Sequence, residues 1–354
     1  MIKKVKKIAI LHTEFFYSGG AEKLIFNQVD YLQKKGYQID VFCGYLNKKT
    51  SFPDLIDSYN ITQLLPLWMN KILPQKLIII LTLPLFIIWL KKVKDYDIYL
   101  GENQFGPWYA FLASYFNKKR FSTYQPYPSS FTRPRKIDKV SFLLRPFSLI
   151  DKYIISKASV CFANGEYAKE VLESTYKRDF IICPAGAEWQ LFNKKIFNNR
   201  LKVKYILVTN RNMPKKRLDW LNKIIPNGVK TIIVGDGTKK GLVSEEKLQT
   251  LYQNALVYVY PAPEEDFGMG IVEAMSFGVP VIAWNYAGPS KIVVTGKSGY
   301  LAKPYILNDF RKLVSKLIEN PQLNYKMSKY AYEESKKYTW EKHTDILEKF
   351  LLHK

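Results

Sequence analysis

Little in this chain of 354 residues suits a disulfide framework or a membrane span. There are three cysteines and three histidines. Cys43, Cys161 and Cys183 form an odd set without metal-like spacing, which argues against structural disulfides and for a reducing compartment. Acid is scarce: 31 Asp and Glu stand against 54 Lys and Arg, a formal net charge of +23. Long apolar runs are missing too. The run "LIIILTLPLFIIWL" (77–90) is 14 residues with Pro84 in its middle, short of the roughly 20 that a spanning helix needs. The start, "MIKKVKKIAILHT", has only a short apolar stretch and no small-residue cleavage site. It reads as a first strand, not a signal peptide. Internal repeats and low-complexity tracts are absent.

What is present is enough for two ordinary domains. The chain is long for one, and 47% of it is hydrophobic, ample for real cores. The positive excess is spread over both halves but concentrates locally. Residues 71–94 hold five Lys and no acid, and 118–145 hold eight basic residues against Asp138. Such charge suits nucleic acid, anionic lipid or phosphorylated ligands. A generally basic proteome with solvated faces accounts for it equally well.

The first half opens with the strand "KIAILHT", a glycine-bearing loop, the amphipathic helix "KLIFNQVDYLQKKG" and a second strand, "QIDVFCG". This is a βαβ unit and so predicts a parallel sheet. "YDIYLGE" and "ASVCFANGE" read as later strands of that sheet, separated by the loop "YQPYPSSFTRPRK" and the helix-like "SFLLRPFSLIDKYIISKAS". A polar stretch, 191–202, reads as a linker. The pattern then restarts with strands in "KYILVTNRN", "KTIIVGDG", "ALVYVYPA" and "VPVIAWN". The expected organisation is a first Rossmann-like domain over 1–190, the linker, a second over 203–335, and a C-terminal helix over 336–354. Two doubly wound α/β domains would face a cleft.

Chemistry concentrates in "PAPEEDFGMGIVEAMSFGVPVIA" (261–283). A strand leads into an acidic loop, and a helix then runs from about Gly268 to Phe277, closed by Gly278. Amide groups at a helix start attract anions, and Gly268 and Gly270 let a ligand approach the backbone. Glu265 just before the first turn and Glu273 one to two turns in can both accept hydrogen bonds from one ligand's hydroxyls. A sugar offers such hydroxyls; a phosphate alone would repel the carboxylates. An acidic cluster favoured by the helix dipole would account for Glu265 and Asp266, but not for Glu273 or the glycines.

Glu265 and Glu273, seven residues between them, inside "EDFGMGIVEAMSFGVPVIA", closely resemble the Glu-x7-Glu signature of retaining glycosyltransferases of the GT-B fold, the family-four group. "NYAGPSKIVVTGKSGYLAKP" resembles that family's continuation. "NRNMPKKR" resembles its Arg…Lys pair, and "SGGAEK" its glycine loop. "FANGEYAKEVL", "CPAGAEWQLF" and "KKYTWEK" extend the likeness over nearly the whole chain.

The resemblance implies transfer of a hexose from a nucleoside-diphosphate sugar, UDP- or GDP-linked, to a glycan or lipid-linked saccharide, with retention and no metal or other cofactor. It implies that Arg211 and Lys216 hold the donor diphosphate together with amides near Gly19, Gly20, Phe267, Gly268, Met269 and Gly270. Glu265 would hold sugar hydroxyls and Glu273 the ribose. The sequence departs from the family pattern in three places. Pro126 stands where many relatives carry a first-domain histidine, Lys291 replaces a common glutamate after "GGP", and the segment between Asp236 and Val243 is short. A catalytically silent partner subunit of the same fold is the alternative reading, which the intact Glu265, Glu273, Arg211 and Lys216 set disfavours.

Other classes fit less well. "SGGAEK" lacks the third spaced glycine of a dinucleotide site, and no acid ends "IDVFCG" to hold a ribose. Asp95 and Asp97 precede a strand instead of ending one, so they do not make a metal motif. No nucleic-acid recognition module is present. The lysine-flanked segment 71–94 reads either as an interfacial element for an anionic membrane surface or as a buried helix kinked at Pro84. The expected location is cytoplasmic, with peripheral attachment to the cytoplasmic membrane face in the first case.

Overall fold

The computed structural model describes residues 6–65, 93–135, 146–189 and 191–352. They form two compact units, Met1–Cys183 with Thr344–Lys354, and Pro184–His343. The expected segment 71–94 lies outside the described residues as far as residue 92, as does 136–145 of the basic loop.

Among the described residues of the first unit, seven parallel strands run in the order β3-β2-β1-β4-β5-β6-β7. They are β1 (Lys7–Phe15), β2 (Gln38–Leu46), β3 (Ile61–Gln63), β4 (Ile98–Glu102), β5 (Arg120–Gln125), β6 (Cys161–Ala163) and β7 (Ile181–Ile182). The helices among the described residues include α1 (Gly20–Lys34), α2 (Gly106–Phe116), α3 (Phe147–Lys157) and α4 (Glu166–Tyr176). β1 is buried almost throughout, as expected for a parallel strand covered on both faces. Ala9, Leu11, Tyr99, Trp108, Ile155 and Leu172 share one core. Asp151 of α3, itself buried, accepts hydrogen bonds from the Trp108 indole (2.8 Å), Thr132 (2.7 Å) and Tyr176 (2.7 Å), so it fastens α2 and α4 to α3.

The second unit has five parallel strands in the order β12-β11-β10-β8-β9. These are β8 (Tyr205–Thr209), β9 (Lys230–Val234), β10 (Val257–Val259), β11 (Val281–Trp284) and β12 (Gly299–Ala302). Around them lie α5 (Lys194–Val203), α6 (Leu221–Ile224), α7 (Glu245–Asn254), α8 (Met269–Ser276), α9 (Pro289–Ile292), α10 (Leu307–Glu319), α11 (Pro321–Ser335) and α12 (Trp340–Leu352), whose last turns belong to the first unit. Both units are doubly wound Rossmann-like α/β folds, as expected.

The stretch 191–202, expected as a linker, contains most of helix α5. Asn193 caps it by accepting from the Ile196 amide (3.0 Å). Phe197 and Arg200 are buried. The Arg200 guanidinium donates to the carbonyls of Gln253 (2.7 Å), Gly278 (2.7 Å) and Phe277 (2.6 Å), and lies over the Phe192 ring. Burial lowers its pKa to about 9. Strands β3, β5, β7 and β12 add to the set expected from the sequence.

Candidate functional site

The site grows out of the C-terminal ends of β8 and β10. After β10 the chain runs through Tyr260 and the acidic loop to α8. Gly268 stands before the first turn with φ +95°, a left-handed conformation that side chains avoid. A Cβ at Gly270 would come within 2.3 Å of the Tyr258 hydroxyl, so only glycine lets the helix start pass over that ring. No side chain caps α8, and its opening amides therefore supply the partial positive charge of a helix N-terminus. At the other end, Gly278 has φ +67° and closes the helix where a left-handed residue was expected.

After β8 the loop carries Arg211 and Lys216. Asn212 ties it to the turn after β9, its amide donating to the Asp236 carbonyl (2.8 Å) and its side chain to that of Gly237 (3.1 Å). Pro214 starts a single helical turn that ends at Lys216, aiming the ammonium at β10. Lys216 pairs there with the Glu265 carboxylate and stands 3.3 Å from the Tyr260 hydroxyl, which itself donates to Glu265 (2.7 Å). About a fifth of the Glu265 side chain, 22%, remains exposed. Burial alone would raise this carboxyl's pKa. The neighbouring Lys216 charge, the hydrogen bonds from Lys216 and Tyr260, and Lys215 outweigh that effect and hold it at about 2.

Glu273, half-buried on α8, accepts from the Tyr252 hydroxyl of α7 (2.8 Å). Tyr252 in turn meets Thr209 at the end of β8 (3.0 Å), and Thr209 meets Tyr258 (2.7 Å). The structure thus brings Lys216, Glu265, Gly268, Met269, Gly270 and Glu273 into one unit, with Arg211 on the adjoining loop. Phe267 is buried edge-on to Tyr338, ring centroids 5.8 Å apart. Gly19 and Gly20 sit in the first unit, at the start of α1. Pro126 follows β5, and Lys291 lies exposed on α9. His12, on β1, is buried, its Nδ1 3.4 Å from the Glu102 carbonyl.

Sequence reasoning missed Thr209, Tyr252, Tyr258 and Tyr260. Two of them carried a signal. Tyr258 and Tyr260 alternate across Val259, so strand geometry places both rings on one face, 6.2 Å apart.

Residues 190–334 match the profile of the family described as glycosyl transferases group 1. An uncharacterized glycosyltransferase of Methanocaldococcus jannaschii is 28% identical over 214 residues, 54% of this chain and 58% of that one. An alpha-1,3/1,6-mannosyltransferase of Dictyostelium discoideum is 40% identical over 85 residues, 24% and 20% of the two chains. The matches therefore span little more than half of these curated relatives, or less. Among solved structures, Anabaena HepE in complex with UDP and glucose superimposes with a TM-score of 0.76 at 16% identity, over 99% of this chain and 100% of that one. That likeness concerns the fold, which is GT-B.

Proposed function

We propose, from the premise that the segment 190–334 belongs to the group 1 glycosyl transferases, that the chain transfers a hexose from a nucleoside-diphosphate sugar to a glycan or lipid-linked saccharide. The observation carrying this reading is the Lys216–Glu265–Tyr260 group at the start of α8. A carboxylate held ionised beside a helix N-terminus accepts hydrogen bonds from sugar hydroxyls, while an ammonium next to it meets the phosphate of the same donor.

In this reading Lys216 is shared between Glu265 and the diphosphate, and Arg211 adds a second cation. As the sugar–phosphate bond breaks, charge grows on the departing diphosphate. Lys216, Arg211 and the opening amides of α8 stabilise it there. Glu273, oriented by Tyr252, holds the ribose. The acceptor hydroxyl approaches on the face the diphosphate leaves, bonds the anomeric carbon as the carbon–oxygen bond to phosphate breaks, and passes its proton to the departing phosphate oxygen, which retains the anomeric configuration without a protein nucleophile. Charge neutralisation is assigned to side chains and amides, so no metal is required. HepE, whose structure holds UDP and glucose, supports a UDP-sugar as the first donor to try.

The test is hydrolysis and transfer with UDP-, GDP- and ADP-sugars. Turnover of at least one, undiminished by chelator, is expected. Activity lost with chelator and restored by manganese would overturn the metal-free step. Tight nucleotide binding with no hydrolysis or transfer would make the chain a silent subunit instead.

A further inference from the structure

The first unit leaves an apolar face to water. Helix α3 turns Asp151, Ile154 and Ile155 inward. Its outward side nevertheless carries Leu149, Ile150 and Tyr153, which are 72%, 46% and 56% exposed. At the end of α2, Tyr115 is 70% and Phe116 39% exposed. Phe111 joins the two groups, its ring centroid 6.4 Å from Tyr115 and 6.2 Å from Tyr153. A helix that only covers a core puts polar residues on its outer side. A contiguous exposed apolar face marks an interaction site.

Its charge says what it meets. Helix α2 has no Asp, Glu, Lys, Arg or His, and the one carboxylate of α3, Asp151, is buried against Trp108, Thr132 and Tyr176. Lys152 and Lys157 flank the apolar side chains of α3, and both are exposed. Lys157 lies with its ammonium 5.2 Å from the Tyr153 ring centroid. Directly after α2, Lys118, Lys119 and Arg120 line, with Lys6, a cavity of about 460 Å³ in which Asp97 is the one acid. Protein-binding surfaces are depleted in lysine at their centre. Here lysines interleave with aromatic and aliphatic groups, the arrangement in which stems lie in an apolar layer while ammonium groups reach anionic head groups.

We propose that the α2–α3 face docks on an anionic phospholipid membrane. Tyr115, Phe116, Leu149, Ile150 and Tyr153 enter the boundary between head groups and acyl chains. The cavity of Lys6, Lys118, Lys119 and Arg120 receives a lipid phosphate. This surface belongs to the first unit and shares no residue with the Lys216–Glu265 group of the second, and it stands whatever the segment 71–94 contributes.

The experiment is sedimentation of the full chain with phosphatidylcholine vesicles, with and without phosphatidylglycerol. Binding to the anionic vesicles alone, weakening as salt rises, is expected. Two paired variants localise it: Leu149→Ser with Tyr153→Ser, and Lys118→Glu with Arg120→Glu. Each pair should weaken vesicle binding at least about tenfold, the serine pair by removing inserted apolar groups and the charge pair by removing attraction to the anionic head groups. The melting temperature should hold, because these side chains already face water. If the serine pair melts early, the charge pair alone decides. Wild-type chain that stays in the supernatant would overturn the proposal. So would unchanged sedimentation of the charge pair. A concentration-dependent dimer without vesicles, abolished by Leu149→Ser, would assign the face to a second copy of the chain instead.

Discussion

Two glutamates, one in each unit and only the first fully buried, have different charge states at neutral pH. Glu102 ends β4 of the first unit and is fully buried. Among the described residues no cation draws its carboxyl down; burial pushes it up to about 8, the Gln28 side chain drawing it only partly back. Glu265 follows β10 of the second unit, and Lys216 with Tyr260 takes its carboxyl down to about 2. Glu102 ends a parallel strand and Glu265 lies in the loop after one, both on the C-terminal side where Rossmann-like sheets bind ligands. A strand-end carboxylate is therefore not by itself a ligand-reading group. The partner decides, by setting whether the acid is an acceptor or a neutral filler at neutral pH.

The largest expected effect comes from removing that partner. Lys216→Met should lower kcat/KM for the nucleotide sugar by about a hundredfold or more, because the developing charge loses a fixed cation. It should also move Glu265 toward the behaviour of Glu102. An acid limb, absent from the wild-type pH–rate profile above the Glu265 value, should then appear at higher pH. Glu265→Gln should reduce turnover at least about tenfold, the loss of about 1.4 kcal/mol, without unfolding the chain. Wild-type rates in both variants would remove these residues from the site.

Next in size is the pH response of stability. Glu102 binds its proton more tightly folded than unfolded, so its contribution is complete below about 4.5 and is lost as pH rises to about 8. By pH 7 the loss amounts to about 3 kcal/mol. Glu102→Gln should hence raise the melting temperature at pH 8 and leave it nearly unchanged at pH 4. Equal shifts at both values would mean that the carboxyl is not neutral when folded. His12 and His343 run the other way. Burial lowers both to about 4. The folded state therefore resists their protonation, and the stability present above about 6.5 is lost as pH falls toward 4. His343→Gln should flatten the melting temperature over that acid range. An unchanged slope would show His343 charged in the folded chain.

The smallest effect concerns the second carboxylate. Tyr252→Phe removes a hydroxyl that orients Glu273 but touches no donor atom in the proposed arrangement. The donor KM should rise a few-fold, about 1 kcal/mol, with kcat nearly kept. A fall in kcat at constant KM would place Tyr252 in the chemical step.

The doubly wound fold was legible because parallel strands advertise themselves. "KIAILHT" and "ALVYVYPA" are apolar runs between glycine- and proline-bearing loops. The start of α8 was legible for a related reason, since two glycines before a helix need an explanation and Gly268 and Gly270 have one each. Strand β5 was not, being a short "RFSTYQ" running straight into the proline-rich loop. The stretch 191–202 misled by composition. Its polar residues outnumber the apolar ones, yet Phe197 and Leu201 are four apart, as on one side of a helix, and Arg200 is polar but buried. The Tyr252–Thr209–Tyr258 chain joins β8 to the consecutive elements α7 and β10, 43 and 49 residues on, and no local spacing encodes such a meeting.

Arg200 shows what that buried cation does for the rest of the unit. Its three carbonyl partners lie at the ends of two helices: Gln253 in the last turn of α7, Phe277 and Gly278 just beyond α8. These are the helices that carry Tyr252 and Glu273. One guanidinium therefore acts as a common hinge pin, and the two helices keep their relative height because both are threaded on it. It also grounds the negative pole of α8. The helix then works as a half-battery, with its positive terminal toward the proposed diphosphate and its other terminal already discharged inside the protein.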